Sequence, residues 1–567
     1  MLNRIVHILF IGTAIGSVTS CSVQVFLYLV EFLSELFSEK NYSYRTFSEI
    51  TERPFSFLFY IILIPISVGL LVGFIRKFTD GKRWHGPPDV ILSAHQSKNP
   101  LHIKTGFLTS FSSILSISIG GSVGQYGPLV HFGATLGAEI KSLFSKIKVD
   151  YQIFLGSGVA AAISSGFGAP IAGLVFAREV ILRHQSLASF APILVSSLVA
   201  YFITKTFFGF EAIFPSSIGL ISHIDELPLF ILLGILSGFT AVIYMKLLTH
   251  KNYFFNISKI PAVIQPAIAA FICGLFTVML PEVTGLGTTT IVDLVSVNIT
   301  MYNALIFLIF KLFLTTICIR FGLIGGVFAP ALFIGACTGV FFGTILQTFY
   351  PDINIALFAA SALAAVGSCV IGGPLANMMI IFELTKDYQT TLAAGISIVF
   401  ASIIASKLVG QSIFDRVLLN RNINLDLGDE NLVLQNRSIQ EIYHSDFLSL
   451  SVKDSVNKAI SRMTVKGYSE CYIIDLQGKV INKITLSDLL KVKSKSMLLK
   501  KIKKRKFLYL SNDENIYNSI DLCKNFVGES IPVISQKKEL VGVIGESDLL
   551  KVILEVNKNQ REIEHKN

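Results

Sequence analysis

The groups best placed to do chemistry come in two copies. One block reads Gly124-Gln125-Tyr126-Gly127-Pro128 and runs on to Gly133 and Ala134; the other reads Gly326-Val327-Phe328-Ala329-Pro330 and runs on to Gly335 and Ala336. A further pair follows: Gly168-Ala169-Pro170-Ile171-Ala172 with Glu179, and Gly372-Gly373-Pro374-Leu375-Ala376 with Glu383. Both pairs recur at one offset of roughly 200 residues, as in membrane proteins that place their site between duplicated halves. Glycine lets backbone approach a ligand closely. Proline in the first turn of a helix wastes no hydrogen bond. The unpaired N–H groups and dipole there leave a positive end. Two such ends meeting inside a membrane would bind an anion without a fixed cation, which is costly in lipid and would hold the anion too tightly to pass. Close packing of small residues, Gly133/Gly137 and Gly335/Gly339, would explain the glycines but not the prolines in register.

The elements that must carry these blocks are membrane helices. The 567 residues are 52% hydrophobic and only 15% charged, with a formal charge of +10. That excludes a soluble enzyme, a disordered chain and a nucleic-acid binder, and reads as cytoplasmic Lys and Arg on a membrane protein. Stretches 5–30, 54–75, 185–204, 227–245, 260–281 and 388–406 lack charge over about the 20 residues that one span needs. Stretches 105–138, 321–351 and 353–382 are longer and interrupted by Gly and Pro, which suggests broken helices buried in protein. After residue 421 the charged fraction rises from about 10% to about 29%, marking a soluble tail. The seven cysteines have no C-x-x-C spacing and read as core residues.

The blocks resemble the CLC family of chloride channels and proton-coupled chloride exchangers. Gly120-Gly-Ser-Val-Gly124-Gln-Tyr126-Gly127-Pro128 is similar to the family's G-R-E-G-P motif, and Gly325-Gly326-Val327-Phe328-Ala329-Pro330 to G-x-F-x-P. Trp84-His85-Gly86-Pro87-Pro88-Asp89-Val90 is similar to G-S-G-I-P-E-V or its G-H-G-x-P variant. The resemblance implies an all-α polytopic membrane protein with an inverted-topology repeat and broken helices, and a homodimer with one pore per subunit. Its anion path would involve His85, Gly86, Tyr126, Gly127, Val327, Phe328 and Phe414. The departures carry the functional expectation. The family's gating acid is replaced by Tyr126, and the inner proton-handling acid, directly after Glu179, by Val180. A phenol is neutral near pH 7, so neither usual proton group is present. The family's anion-binding Tyr aligns with Phe414. Two roles stay open for Tyr126: a hydroxyl ligand to the anion, or a ring packed aside. His85 reads as an N–H donor to the anion or a histidine held by loop carbonyls, and His131 as a packing residue or a ligand. Glu179 and Glu383 read as structural partners of backbone N–H groups or of nearby cations.

The tail resembles a tandem CBS module, an adenine-nucleotide sensor in many proteins. Thr485 and Asp488 in the first unit and Asp548 in the second match that family's nucleotide contacts, whereas Gly545 stands where the second hydroxyl would be. The expected organisation is a transmembrane domain at 1–421 (halves about 1–215 and 216–421), a linker at 422–435, and a cytoplasmic tail at 436–567 with units at about 436–495 and 506–556. The expected function is a passive chloride channel in a bacterial-type inner membrane. No cofactor, metal or nucleic acid is needed; chloride is the ligand, and the tail either binds an adenine nucleotide or serves a purely structural or dimerising role. The alternative is a proton/anion antiporter using Glu179, His85 or His131. A divalent-cation transporter would need membrane carboxylate clusters that the three long stretches lack, and a membrane-anchored nucleotide sensor would not need the repeat.

Overall fold

The computed structural model describes residues 2–37, 59–96, 100–144, 149–183, 187–209, 226–249, 259–296, 299–410, 412–421, 423–425, 431, 433–435, 437–503, 506–524 and 526–566. The junction expected near residue 215, the starts of stretches 54–75 and 185–204, and much of the linker lie outside the described residues. The chain divides into two compact units, Met1–Asn422 and Ile423–Asn567.

The first unit is helical. It begins with α1 (Leu2–Phe37) and α2 (Ile64–Ile75). The first set of repeated helices is α3 (Pro87–His95), α4 (Ile103–Ser118), α5 (Tyr126–Leu143), α6 (Tyr151–Phe167), α7 (Pro170–Phe176) and α8 (Leu187–Phe208). After α9 (Leu227–Thr249) and α10 (Gln265–Met279) the second set follows: α11 (Thr288–Val295), α12 (Met301–Arg320), α13 (Phe328–Gln347), α14 (Ile355–Ile371), α15 (Pro374–Thr385) and α16 (Tyr388–Leu408). A short α17 (Ile413–Leu419) closes the unit. Among the described residues, seven helical segments are long and apolar enough to cross a membrane.

The duplicated sequence produces duplicated breaks. α6 ends on Gly168 at φ 66° and α14 on Gly372 at φ 71°, a left-handed backbone that glycine adopts without strain. Pro170 and Pro374 then start the next helices at their first turn. The small residues serve packing as well. A Cβ on Gly133 or Gly335 would lie 2.3 Å from the Gly158 carbonyl oxygen or 2.5 Å from that of Ala362. Backbone-to-backbone contact thus binds α5 to α6 and α13 to α14 in both halves.

The tail unit holds two small α/β layers. In the first, β1 (Ser449–Ser451) runs parallel to β2 (Glu470–Ile474), which pairs antiparallel with β3 (Val480–Thr485); α18 (Val456–Lys466) and α19 (Leu486–Leu490) cover it. In the second, β4 (Leu510–Ser511), β5 (Ile531–Ile534) and β6 (Leu540–Ile544) repeat that order, with α20 (Ile516–Cys523) and α21 (Glu546–Lys566). Residues at the front of the first unit pack into the second: Ile439 joins the core of Ile516, Ile531 and Leu549. His444 also pairs with Val543, occupying the free edge of β6. An apolar side chain and an open strand edge decide this, not proximity in sequence.

Candidate functional site

The two glycine-proline blocks meet. Gly124 N donates to Gly326 O at 2.6 Å and Gly326 N donates to Gly124 O at 2.5 Å, an antiparallel bridge between the halves. A Cβ on Gly326 would stand 2.7 Å from Gly127 N. Only glycine permits this approach, and it brings the first turns of α5 and α13 together, each with a proline at its third residue. First-turn N–H groups have no acceptor within their own helix, so the junction concentrates donors and positive dipole ends without a side-chain charge.

Tyr126 and Phe328, the first residues of α5 and α13, are both buried. Tyr126 stacks on Phe167 at 3.6 Å with an interplanar angle of 11°, and the Phe328 ring stands edge-on to Tyr126 at 6.0 Å and to Phe167 at 5.9 Å. The trio fixes the Tyr126 ring, leaving the phenolic oxygen as its polar tip. Sequence reasoning missed Phe167, because nothing local announces a contact made from the end of α6.

The Trp84-His85-Gly86 turn is clamped from both sides. Asp89 accepts from Gly86 N at 3.0 Å, from Arg83 Nη2 at 2.7 Å and from Arg421 Nη1 at 2.8 Å. Trp84 Nε1 donates to the Gly322 carbonyl at 2.9 Å, tying this turn to the loop ahead of α13. His85 is buried, its ring edge-on to His131 at 6.1 Å between centroids. Among the described residues, no partner stands within hydrogen-bond distance of His85 Nε2 or of either ring nitrogen of His131. Phe414 is buried on α17, which packs against α3. A phenol that sequence reasoning missed comes instead from α9: the hydroxyl of fully buried Tyr244 donates to the Val327 carbonyl at 3.1 Å. Tyr244 lies in a plain apolar stretch with no motif around it.

Val180 is buried in a wide helical turn, Ala177–Leu182, that continues α7. Its neighbour Glu179 points across the repeat and accepts from Leu375 N at 3.0 Å and Ala376 N at 2.7 Å, capping α15. Glu383 does the reverse, accepting from Ile171 N at 2.9 Å and Ala172 N at 2.8 Å at the start of α7. The two carboxylates are therefore reciprocal caps, the backbone partnership read from their matching registers. Beside Glu383, a cavity of ≈ 320 Å³ is lined by Phe167, Tyr201, Lys205 and Lys386.

In the tail, Thr485 Oγ1 accepts from Asp488 N at 3.2 Å and caps α19. Gly545 cannot do this, and Asp548 reaches back to accept from Gly545 N at 3.0 Å, with His444 Nε2 at 3.4 Å from the same carboxylate oxygen. The units are joined by a compact polar cluster: Lys483 Nζ lies 2.6 Å from Glu470 and donates to Ser530 O at 2.7 Å, and Tyr472 bonds Ser530.

Duplicated broken helices whose positive ends abut within an apolar helical body define an integral, multi-pass membrane protein of the anion-transporting class. The family described as voltage gated chloride channel matches residues 66–406, and CBS domains match 439–495 and 499–555. The chain belongs to this voltage-gated chloride channel, or CLC, family, whose members are channels or transporters. It is 27% identical over 411 residues to the voltage-gated ClC-type chloride channel ClcB of Escherichia coli (strain SMS-3-5 / SECEC), covering 72% of this chain and 97% of the relative. Its fold is similar to that of a slow cyanobacterial Cl-/H+ antiporter (TM-score 0.65, 22% identity, 76% of this chain and 99% of the other). It is also similar to a eukaryotic CLC transporter (TM-score 0.64, 18% identity, 97% and 99%).

Proposed function

We propose that the chain passes chloride and similar small anions passively, as a channel, through its residue 1–421 body. The reading rests on one observation above the others: the position that resembles the family's gating acid is Tyr126, a ring stacked on Phe167. The inner proton-acid position is buried, apolar Val180. Glu179, the nearest substitute acid, spends both carboxylate oxygens on the N-terminus of α15. Anion contacts come from N–H groups about Gly127, Val327 and Phe328, with His85 at the Gly86 turn and Phe414 on α17 beside it. The protein acts as a homodimer in a bacterial-type inner membrane, with the tail in the cytoplasm. Adenine nucleotide binds the tail at Thr485 and Asp488. The antiporter alternative draws on His85 and His131; among the described residues, His85 Nε2 and both ring nitrogens of His131 are buried without a hydrogen-bond partner.

Chloride-loaded liposomes test the choice. Passive conduction gives chloride efflux without stoichiometric uphill proton movement. Reproducible proton pumping driven by the chloride gradient alone contradicts it.

A further inference from the structure

Three imidazoles run in a row from the surface into the core. His102, at the start of α4, is 61% exposed, His85 5% and His131 1%. Their ring centroids are 6.3 Å and 6.1 Å apart in that order, both pairs edge-on. At the outer end the half-exposed Asp80 puts one carboxylate oxygen 3.5 Å from His102 Nε2 and 4.0 Å from His85 Nε2. At the inner end His131 lies on α5, a little over one turn beyond Tyr126. A neutral imidazole must carry one N–H; His85 bonds the Asp80 backbone and keeps Nε2 free, whereas neither ring nitrogen of His131 has a partner among the described residues, so its donor is left to satisfy. Leaving such a group without a partner costs on the order of 1–3 kcal/mol.

We propose that His85 and His131 form a co-binding site for one proton and one small anion, with Asp80 and His102 as the surface entry for the proton. The inference rests on the reading that anions pass His85. The physical reason is mutual compensation. An imidazolium at His131 lacks a close counter-charge, because Asp89 is committed to Arg83 and Arg421 and Asp80 reaches only His85 and His102 at the surface end. An anion alone between the rings would be desolvated against neutral donors. Together each supplies the charge that the other lacks. Among the described residues, the charged or titratable groups facing the pair are Asp80, Arg83, Asp89 and His102. No acid follows His131 at the gate or at Val180, so the proton enters and leaves by the same end. The site links anion affinity to pH without moving protons across the membrane.

Linkage gives a test that needs no flux. Anion binding must take up protons to the same degree that protons strengthen anion binding. Purified full-length protein in detergent, near pH 6.5, is titrated with potassium chloride by calorimetry in buffers of different ionisation heat, with potassium gluconate as control. The expected result is uptake of about one proton per bound chloride at saturation. His131→Gln keeps an N–H donor but cannot titrate; it should bind chloride more weakly, with the uptake largely lost. His85→Gln should do the same, which keeps the test sound if one variant misfolds. Chloride binding without proton uptake overturns the proposal, as does undiminished uptake in both folded variants. Absence of chloride binding in the native protein overturns the anion path at His85 and this site with it. Coupled exchange in liposomes alongside His131-dependent uptake refutes passive conduction and leaves the co-binding site standing.

Discussion

Removing one of the reciprocal caps gives a quantitative test of the duplicated framework. Glu179→Ala strips two N–H groups of α15 of their acceptor, and Glu383→Ala does the same to α7. Hydrogen bonds to a charged group contribute about 1.5–3 kcal/mol when solvent is kept away. In each cap one bond is partly buried, to Ala376 N or Ala172 N, and counts at that scale. The other, to Leu375 N or Ile171 N, is exposed and counts for roughly 0.5–1 kcal/mol. Each Ala variant should therefore lose about 2–4 kcal/mol of stability, and the two losses should match because the geometries match. Gln at either position keeps one acceptor and turns an NH2 toward the other donor, so it should lose somewhat less. Denaturant unfolding in detergent, followed by tryptophan fluorescence of Trp84, reads the change. Folded Glu179→Gln should still pass chloride with an unaltered pH profile. Unchanged stability in both Ala variants, or a large loss in one and none in the other, would refute the reciprocal capping.

Other perturbations address the anion path and the tail. Tyr126→Phe keeps the stack on Phe167 and removes only the hydroxyl; it should shift anion selectivity in bilayer recordings while leaving stability within about 1 kcal/mol of native. Tyr126→Glu should give acid-activated, uncoupled anion flow with less current at neutral pH, because protonation removes the charge that competes with chloride and Val180 still offers no inner acceptor; proton-coupled flux in this variant would contradict that. Gly326→Ala sets a methyl 2.7 Å from Gly127 N and must push two helix ends apart, so chloride flux should be lost, at an overpacking cost of about 1–3 kcal/mol. Calorimetry should find a single adenine-nucleotide site in the tail, lost in Thr485→Ala, since Asp548 is tied to Gly545 and His444.

What the sequence made legible was whatever the backbone demands locally. The paired Gly-Pro blocks predict breaks and restarts at Gly168/Pro170 and Gly372/Pro374, because few other residues close a helix left-handed and open the next within two positions. Glu179 and Glu383 were readable as backbone partners because they share a register in both copies. Which backbone each caps was not, since each reaches across roughly 200 residues into the other half. Phe167, Tyr244 and the nearness of His85 to His131 were equally illegible: each is a single side chain in an apolar run, and its partner is chosen by helix packing. In the tail, the packing of Ile439 into the core of the second unit and the pairing of His444 with the edge of β6 were not legible, because both contacts reach out of the first unit's own stretch of sequence.

Passive conduction is tested most directly by the reversal potential of the purified protein in a planar bilayer under separate chloride and proton gradients. If Tyr126 and Val180 stand in place of both acids, as proposed, the potential should follow the chloride equilibrium potential and stay there when a pH gradient of two units is imposed. A shift of the reversal potential with the proton gradient at fixed chloride would show coupled movement and contradict the channel.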